Sequence, residues 1–192
     1  MRISRLANTI PPRHPQRRRW LQAGTALAAG LSPVFARVAR ASAHEAPARL
    51  AFVNTHTSER LDIVYREGGR YLPDALAAID RVLRDHRTDD VRPMDPRLLD
   101  LLSEIRTNLD ASQPFHVISG YRSPASNAKL AAASDGVARH SLHLEGRAID
   151  IRVPGRTLDA VRRCAISMGG GGVGFYPRSD FVHVDTGRVR TW

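Results

Sequence analysis

Ala148-Ile149-Asp150-Ile151-Arg152-Val153 is the stretch on which the fold turns. Apolar and polar residues alternate there with period two, the side-chain repeat of a β-strand. Ile149, Ile151 and Val153 therefore share one face, and Asp150 points to the other, away from the core. The same period recurs in Phe181-Val182-His183-Val184-Asp185, which sends Val182 and Val184 one way and His183 and Asp185 the other. Upstream, residues 49–53 and 60–65 are short β-rich runs that predict a hairpin, with Gly68-Gly69 ending its second strand. Pro73 to Leu83 places apolar residues at helical spacing behind a proline, and Pro96 to Leu109 does so again through Leu98, Leu99, Leu101, Leu102 and Ile105. Phe115 to Ile118 predicts a strand, Asn127 to Ala133 a brief helix, and Arg156 to Met168 a third long one. Gly169 to Gly172 reads as a tight turn giving backbone access to a cleft, leading into a strand at Val173 to Tyr176. Strands interleaved with helices without a regular βαβ rhythm predict an α+β fold: a mainly antiparallel sheet with flanking helices, spanning residues 44–192 without internal repeats.

The formal charge of +10 would suggest a nucleic-acid partner if it were evenly spread. It is not. Residues 1–43 hold eight arginines (2, 5, 13, 17, 18, 19, 37 and 40) and no Asp, Glu or Lys, which leaves only +2 on the remainder. A near-neutral domain lacks the basic surface that phosphate-driven binding requires, so no nucleic-acid partner is expected. Arg17-Arg18-Arg19-Trp20-Leu21, the weakly apolar run Ala23 to Leu31, and small-residue sites at Ala39-Arg40-Ala41 and Ala41-Ser42-Ala43 resemble a twin-arginine signal peptide, with Trp20 where that pattern usually has Phe. The apolar run falls well short of the roughly 20 residues that cross a bilayer, so the mature form should have no membrane span. Residues 1–43 are accordingly expected to be a cleaved signal, with Ala41 as the second cleavage choice, and the product to reach the periplasm folded and monomeric. The single cysteine, Cys164, cannot form an internal disulfide, and its apolar neighbours at helical spacing point to packing.

His143, Asp150 and His183 are the chemically telling residues. The first two lie in Ser141-Leu-His143-Leu-Glu-Gly146-Arg-Ala148-Ile-Asp150, and the third lies on the strand that begins at Phe181. Two imidazoles and one carboxylate suit Zn²⁺, and three protein ligands with one coordination position left for water are the pattern of a catalytic rather than a structural zinc. Gly146 and Ala148 leave room for backbone near an ion, and Ser141 is a candidate to hydrogen-bond Asp150. Asp185, on the His183 face, is either an orienter of His183 or a turn residue. His140, three residues before His143, is a candidate hydrogen-bond donor behind the ligands, a proton carrier or a surface residue. The chain has no His-Glu-x-x-His helix, no Gly-x-Ser-x-Gly elbow and no P-loop lysine.

The Ser-x-His-x-x-Gly-x-Ala-x-Asp pattern followed by a late Asp-x-x-His resembles the zinc D-alanyl-D-alanine peptidase superfamily, and within it the YcbK or MepK-type murein endopeptidases. Ser119-Gly-Tyr-Arg-Ser-Pro124, Gly136-Val-Ala, His140-Ser-Leu-His143, Gly171-Gly-Val-Gly-Phe-Tyr176 and Phe181-Val-His-Val-Asp-Thr-Gly187 carry the likeness across nearly all of the mature chain. It implies His143, Asp150 and His183 as metal ligands and Asp180, three positions before the last histidine, as the general base. Asp180 would have to sit on a turn, because strict alternation puts it opposite His183. Arg122 is implied as the oxyanion stabiliser or carboxylate clamp, since its fork matches either group. The resemblance thus predicts an exported zinc peptidase acting on the cross-linked peptides of peptidoglycan. Two alternatives stand beside it: a D,D-carboxypeptidase or dipeptidase acting on stem peptides, and a non-catalytic cell-wall-binding module.

Overall fold

The computed structural model describes residues 46–133, 138 and 140–192. The signal peptide expected at residues 1–43 lies outside them, as do two of the three residues in the Gly136-Val-Ala match. Strands β1 (Ala48–Asn54), β2 (Arg60–Glu67), β3 (Arg70–Tyr71), β4 (Phe115–Ser119), β5 (Ala148–Arg152), β6 (Gly172–Tyr176), β7 (Phe181–Asp185) and β8 (Arg190–Thr191) form one sheet. Their order is β3-β2-β1-β4-β5-β7-β6-β8. The β1–β4 and β6–β8 pairs are parallel and the others antiparallel, so the fold is α+β with a mixed, mainly antiparallel sheet.

Helices α1 (Pro73–Val82), α2 (Pro96–Asn108) and α4 (Leu158–Met168) pack their apolar sides on one face of this sheet. Each starts where local chemistry allows it. Proline opens α1 and α2, the Asp95 carboxylate accepts from the Arg97 amide, and the Thr157 hydroxyl accepts from Ala160 at 3.2 Å. The Thr157 cap moves the start of α4 two residues past the expected Arg156, and Gly169 closes that helix in the left-handed conformation. Ile79, Leu98, Leu102 and Ile105 on the helices meet Leu50, Phe52, Ile149, Ile151, Val182 and Val184 on the sheet in one continuous core. Burying each such branched side chain contributes about 1.5–3 kcal/mol, so a charge at Ile151 would break the centre of the fold.

A further helix, α3 (Pro124–Ala133), follows β4 and begins at Pro124 rather than Asn127. The two-residue strands β3 and β8 were not legible, being too short to show a period. Asp150 does point away from the apolar core, yet it is 5% exposed and His183 8% exposed. The polar face of the sheet is itself covered there, by Arg122, by the turn that carries His143 and by Trp192. No helix among the described residues is long and apolar enough to cross a membrane.

Candidate metal centre

Register brings the site together. Asp150 on β5 lies directly across from His183 on β7, in the ladder that also pairs Ile149 with Val184 and Ile151 with Val182. Opposed residues in an antiparallel ladder have side chains close enough to share a ligand. His143 reaches the same point from a 3-10 turn, Leu142–Glu145, that runs into β5. The Ser141 hydroxyl caps this turn by accepting from the His143 amide at 3.4 Å, so its observed role is to shape the turn rather than to orient Asp150. Gly146 ends the turn at φ +69°, and a Cβ there would lie 2.3 Å from the Pro93 carbonyl oxygen. The tight neighbour at Gly146 is thus backbone from the loop before α2.

The ring nitrogens have assigned tasks. His143 Nδ1 is 2.7 Å from the Gly120 carbonyl, which only an N–H can satisfy, so its Nε2 keeps the lone pair. His183 Nε2 is 3.1 Å from Asp185 Oδ2, which leaves Nδ1 as the free lone pair. These two nitrogens lie 3.2 Å apart, and Asp150 Oδ1 lies 3.3 Å from the first and 2.8 Å from the second. Three electron-pair donors converging in a buried pocket repel one another unless a cation sits among them. That donor chemistry fits a divalent metal of the borderline class. Within the described residues it is the sole His/Cys/Asp/Glu group that could hold one. Burial pushes the His183 imidazolium down, but hydrogen bonds and charge from Asp150 and Asp185 outweigh burial and hold its pKa up to about 9. Burial likewise pushes Asp150 up, and the two histidines overcome it, keeping its carboxyl well below the usual range.

Asp185 is both orienter and turn residue. It is fully buried, and besides His183 it accepts from the Gly172 amide at 3.0 Å, the Gly187 amide at 2.8 Å and the Arg190 guanidinium at 2.7 Å. The turn expected at Gly169 to Gly172 is present, but its glycines serve β7 rather than the cleft. Gly171 runs so close to β7 that a Cβ would lie 1.8 Å from the Asp185 carbonyl oxygen, and Gly172 feeds its N–H to the Asp185 carboxylate.

Around the triad opens a cleft of about 510 Å³. Arg122 and His140 line it, as do Tyr176 and Trp192, which the sequence reading missed. Arg122 is 9% exposed and lies 3.7 Å from Asp150 Oδ2. It donates to Ser119 Oγ and Asn127 Oδ1 at 3.4 and 3.3 Å, and its Nε is buried without a partner. Burial pulls the pKa of this guanidinium below its ordinary value. His140 is exposed on the cleft wall. Asp180 stands apart. The expected turn is present, with Asp180 at φ +56°, but its carboxylate is 63% exposed and pairs with Arg152 Nε at 2.7 Å. Ser179 and Phe181 on either side line the cleft, and the Asp180 side chain does not. The structure therefore joins His143, Asp150, His183 and Arg122 closely, sets His140 on the wall, and turns Asp180 outward.

A family model described as peptidoglycan L,D-endopeptidase MepK matches residues 42–192. The peptidoglycan L,D-endopeptidase MepK of Escherichia coli (strain K12) is 39% identical over 171 residues, which cover 88% of this chain and 92% of that protein. The probable peptidoglycan L,D-endopeptidase MepK of Haemophilus influenzae is 41% identical over 177 residues, 92% of this chain and 95% of that one. On a match that takes in every residue of the buried triad and its cleft, the chain belongs to the peptidoglycan L,D-endopeptidase MepK family.

Proposed function

We propose that this protein is an exported, zinc-dependent peptidase that hydrolyses peptide cross-links in peptidoglycan. The observation that carries the reading is the meeting of His143 Nε2, Asp150 Oδ1 and His183 Nδ1 within 3.3 Å of one another at the floor of an open cleft. The relatives' names specify an L,D bond. Of the two common cross-links, the 3-3 type joins an L-centre carbonyl to an amine on a D-centre, whereas the 4-3 type joins two D-centres, so the 3-3 bond is the proposed target. Residues 17–19 and the small-residue sites before residue 44 support export through the twin-arginine route to the periplasm and cleavage after Ala43.

A zinc ion held by these three residues would supply a Lewis acid for the scissile carbonyl and acidify a water beside it. The rest of the work falls to the chain. Arg122, beside Asp150, steadies the carbonyl oxygen as negative charge builds on it. Asp180 takes the proton of the attacking water and passes it to the leaving amine. To do so it must leave Arg152, and an exposed ion pair of this kind holds only about 0–1 kcal/mol, so that rotation is inexpensive. His140 on the wall is the proposed carrier between the cleft and solvent.

Digesting cross-linked murein with the purified protein plus zinc and separating the products tests this directly. Loss of 3-3 cross-linked dimers with gain of monomers is the expected result. Intact dimers would sink the proposal, trimming of stem-peptide ends alone would favour the carboxypeptidase alternative, and binding without cleavage would favour the wall-binding module.

A further inference from the structure

Residues 190–192 crowd His183 and its partner Asp185. We propose that Arg190 and Trp192 are positioning residues that fix the ring of His183 in the orientation that binds metal, Arg190 acting through Asp185 and Trp192 by packing on the imidazole; this rests on the metal reading above. Arg190 grips both oxygens of Asp185, Nη1 to Oδ1 at 3.1 Å and Nη2 to Oδ2 at 2.7 Å. A guanidinium fork bound in this way fixes the plane of the carboxylate as well as its place. Oδ2 is the oxygen that accepts from His183 Nε2. The tautomer that frees Nδ1 for a metal therefore depends on a carboxylate whose own orientation depends on Arg190.

Trp192 reaches the same ring from another side. Its centroid is 5.3 Å from that of His183, with the planes tilted by 51°. The indole Nε1–H donates to the Tyr176 hydroxyl at 2.7 Å, and the Arg190 guanidinium lies over the indole at 4.7 Å. Backbone hydrogen bonds from Phe175 to the Trp192 carbonyl and from Trp192 to the Val173 carbonyl stitch this residue to β6.

Strand β6 is shaped for both side chains. Gly172 and Gly174 fall on one face of it, by the period of two. A Cβ on Gly172 would lie 2.2 Å from Arg190 Nη1, and one on Gly174 would lie 2.7 Å from the indole. Gly174 is also the residue paired with His183 across the ladder. Neither glycine has a positive φ, so backbone conformation does not demand them. They form a trough, and Arg190 and Trp192 fill it. A tail that only closed the sheet edge would need no such trough beside the ligand.

The test is zinc affinity of the full chain, measured by competition with a chromophoric chelator. Arg190→Gln and Asp185→Asn should each weaken zinc by about 10- to 100-fold, the range for groups that orient a ligand, and the double variant should be no weaker than Asp185→Asn alone. Arg190→Lys should recover part of the loss, because an ammonium restores charge without the fork. With cobalt in place of zinc, the visible absorption band should shift in Arg190→Gln. Zinc affinity within twofold of the unaltered chain, or fully additive effects, would overturn the proposal. Should Arg190→Gln fail to fold, Trp192→Leu decides, since that side chain is 47% exposed and its loss leaves every bond to Asp185 intact. Loss on the order of tenfold supports the assignment, and an unchanged constant overturns it. Failure of the unaltered chain to bind zinc at all would instead defeat the metal reading itself.

Discussion

His183 shows how one side chain can serve two states. With no metal its imidazolium is held up to about 9 by Asp150 and Asp185, against an ordinary value of 6.5. A raised value in the folded form means stabilisation that is complete below pH 6.5 and lost as pH climbs through about 9. The melting temperature of the metal-free protein should therefore fall across that window, while zinc binding, which must displace the proton, should tighten by about tenfold per pH unit over the same range. Calorimetry with and without zinc measures both, and a pH-independent metal-free melting temperature would contradict the coupling. Asp180 separates at this scale as well. Asp180→Asn should lower kcat by about 10²- to 10⁴-fold, the usual worth of a general base, with zinc content unchanged. A kcat within twofold of the unaltered enzyme would remove Asp180 from the reaction and leave it as the partner of Arg152.

At the scale of elements, the loop that carries Arg122 is pinned by polar bonds as well as by the buried Tyr121: the Tyr121 amide donates to the Leu83 carbonyl at 2.8 Å and the Arg122 amide to the His143 carbonyl at 3.1 Å. Burial pushes the Asp85 carboxyl up, but hydrogen bonds from Ser126 and from the Arg87 and Ser123 amides hold it down at about 2. The bond to Ser123, 2.8 Å long, ties the segment after α1 to the residue next to Arg122. Asp85→Ala should cost about 1–3 kcal/mol through amides left unsatisfied, and should raise KM more than it lowers kcat. In the unaltered protein the Asp85 contribution is present above pH 3.8 and disappears as pH falls toward 2. A denaturant titration of the variant at neutral pH checks the first statement, and an unchanged midpoint would contradict it. Gly146→Ala should be worse, because it meets both a left-handed backbone and the Pro93 carbonyl. Loss of zinc together with lowered stability is expected, and native stability with full zinc content would contradict the account of that turn.

For the molecule as a whole, what could be read from sequence follows the range of the forces involved. The period of two in Ala148–Val153 and Phe181–Asp185 fixed which faces His183 and Asp150 share, and the ladder bears this out. Helix limits came out within a few residues, because proline openings and the glycine close at Gly169 are local signals. What depended on distant partners was not legible. Nothing near Asp180 in sequence announces Arg152, and nothing about a terminal tryptophan announces a seat on Gly174. The available clue was the pairing of Gly172 and Gly174 on one strand face, which assigning Gly172 to the preceding turn conceals. Burial of the polar face was not legible for the same reason, since Arg122 meets Asp150 and His143 meets His183 across long stretches of sequence.

Anomalous diffraction at the zinc absorption edge, from crystals of the zinc-loaded protein, tests the central claim most directly. The account predicts one peak per chain, touching His143 Nε2, Asp150 Oδ1 and His183 Nδ1 at about 2 Å from each. A peak bonded to the opposite ring nitrogens, a peak elsewhere, or none at all would contradict it.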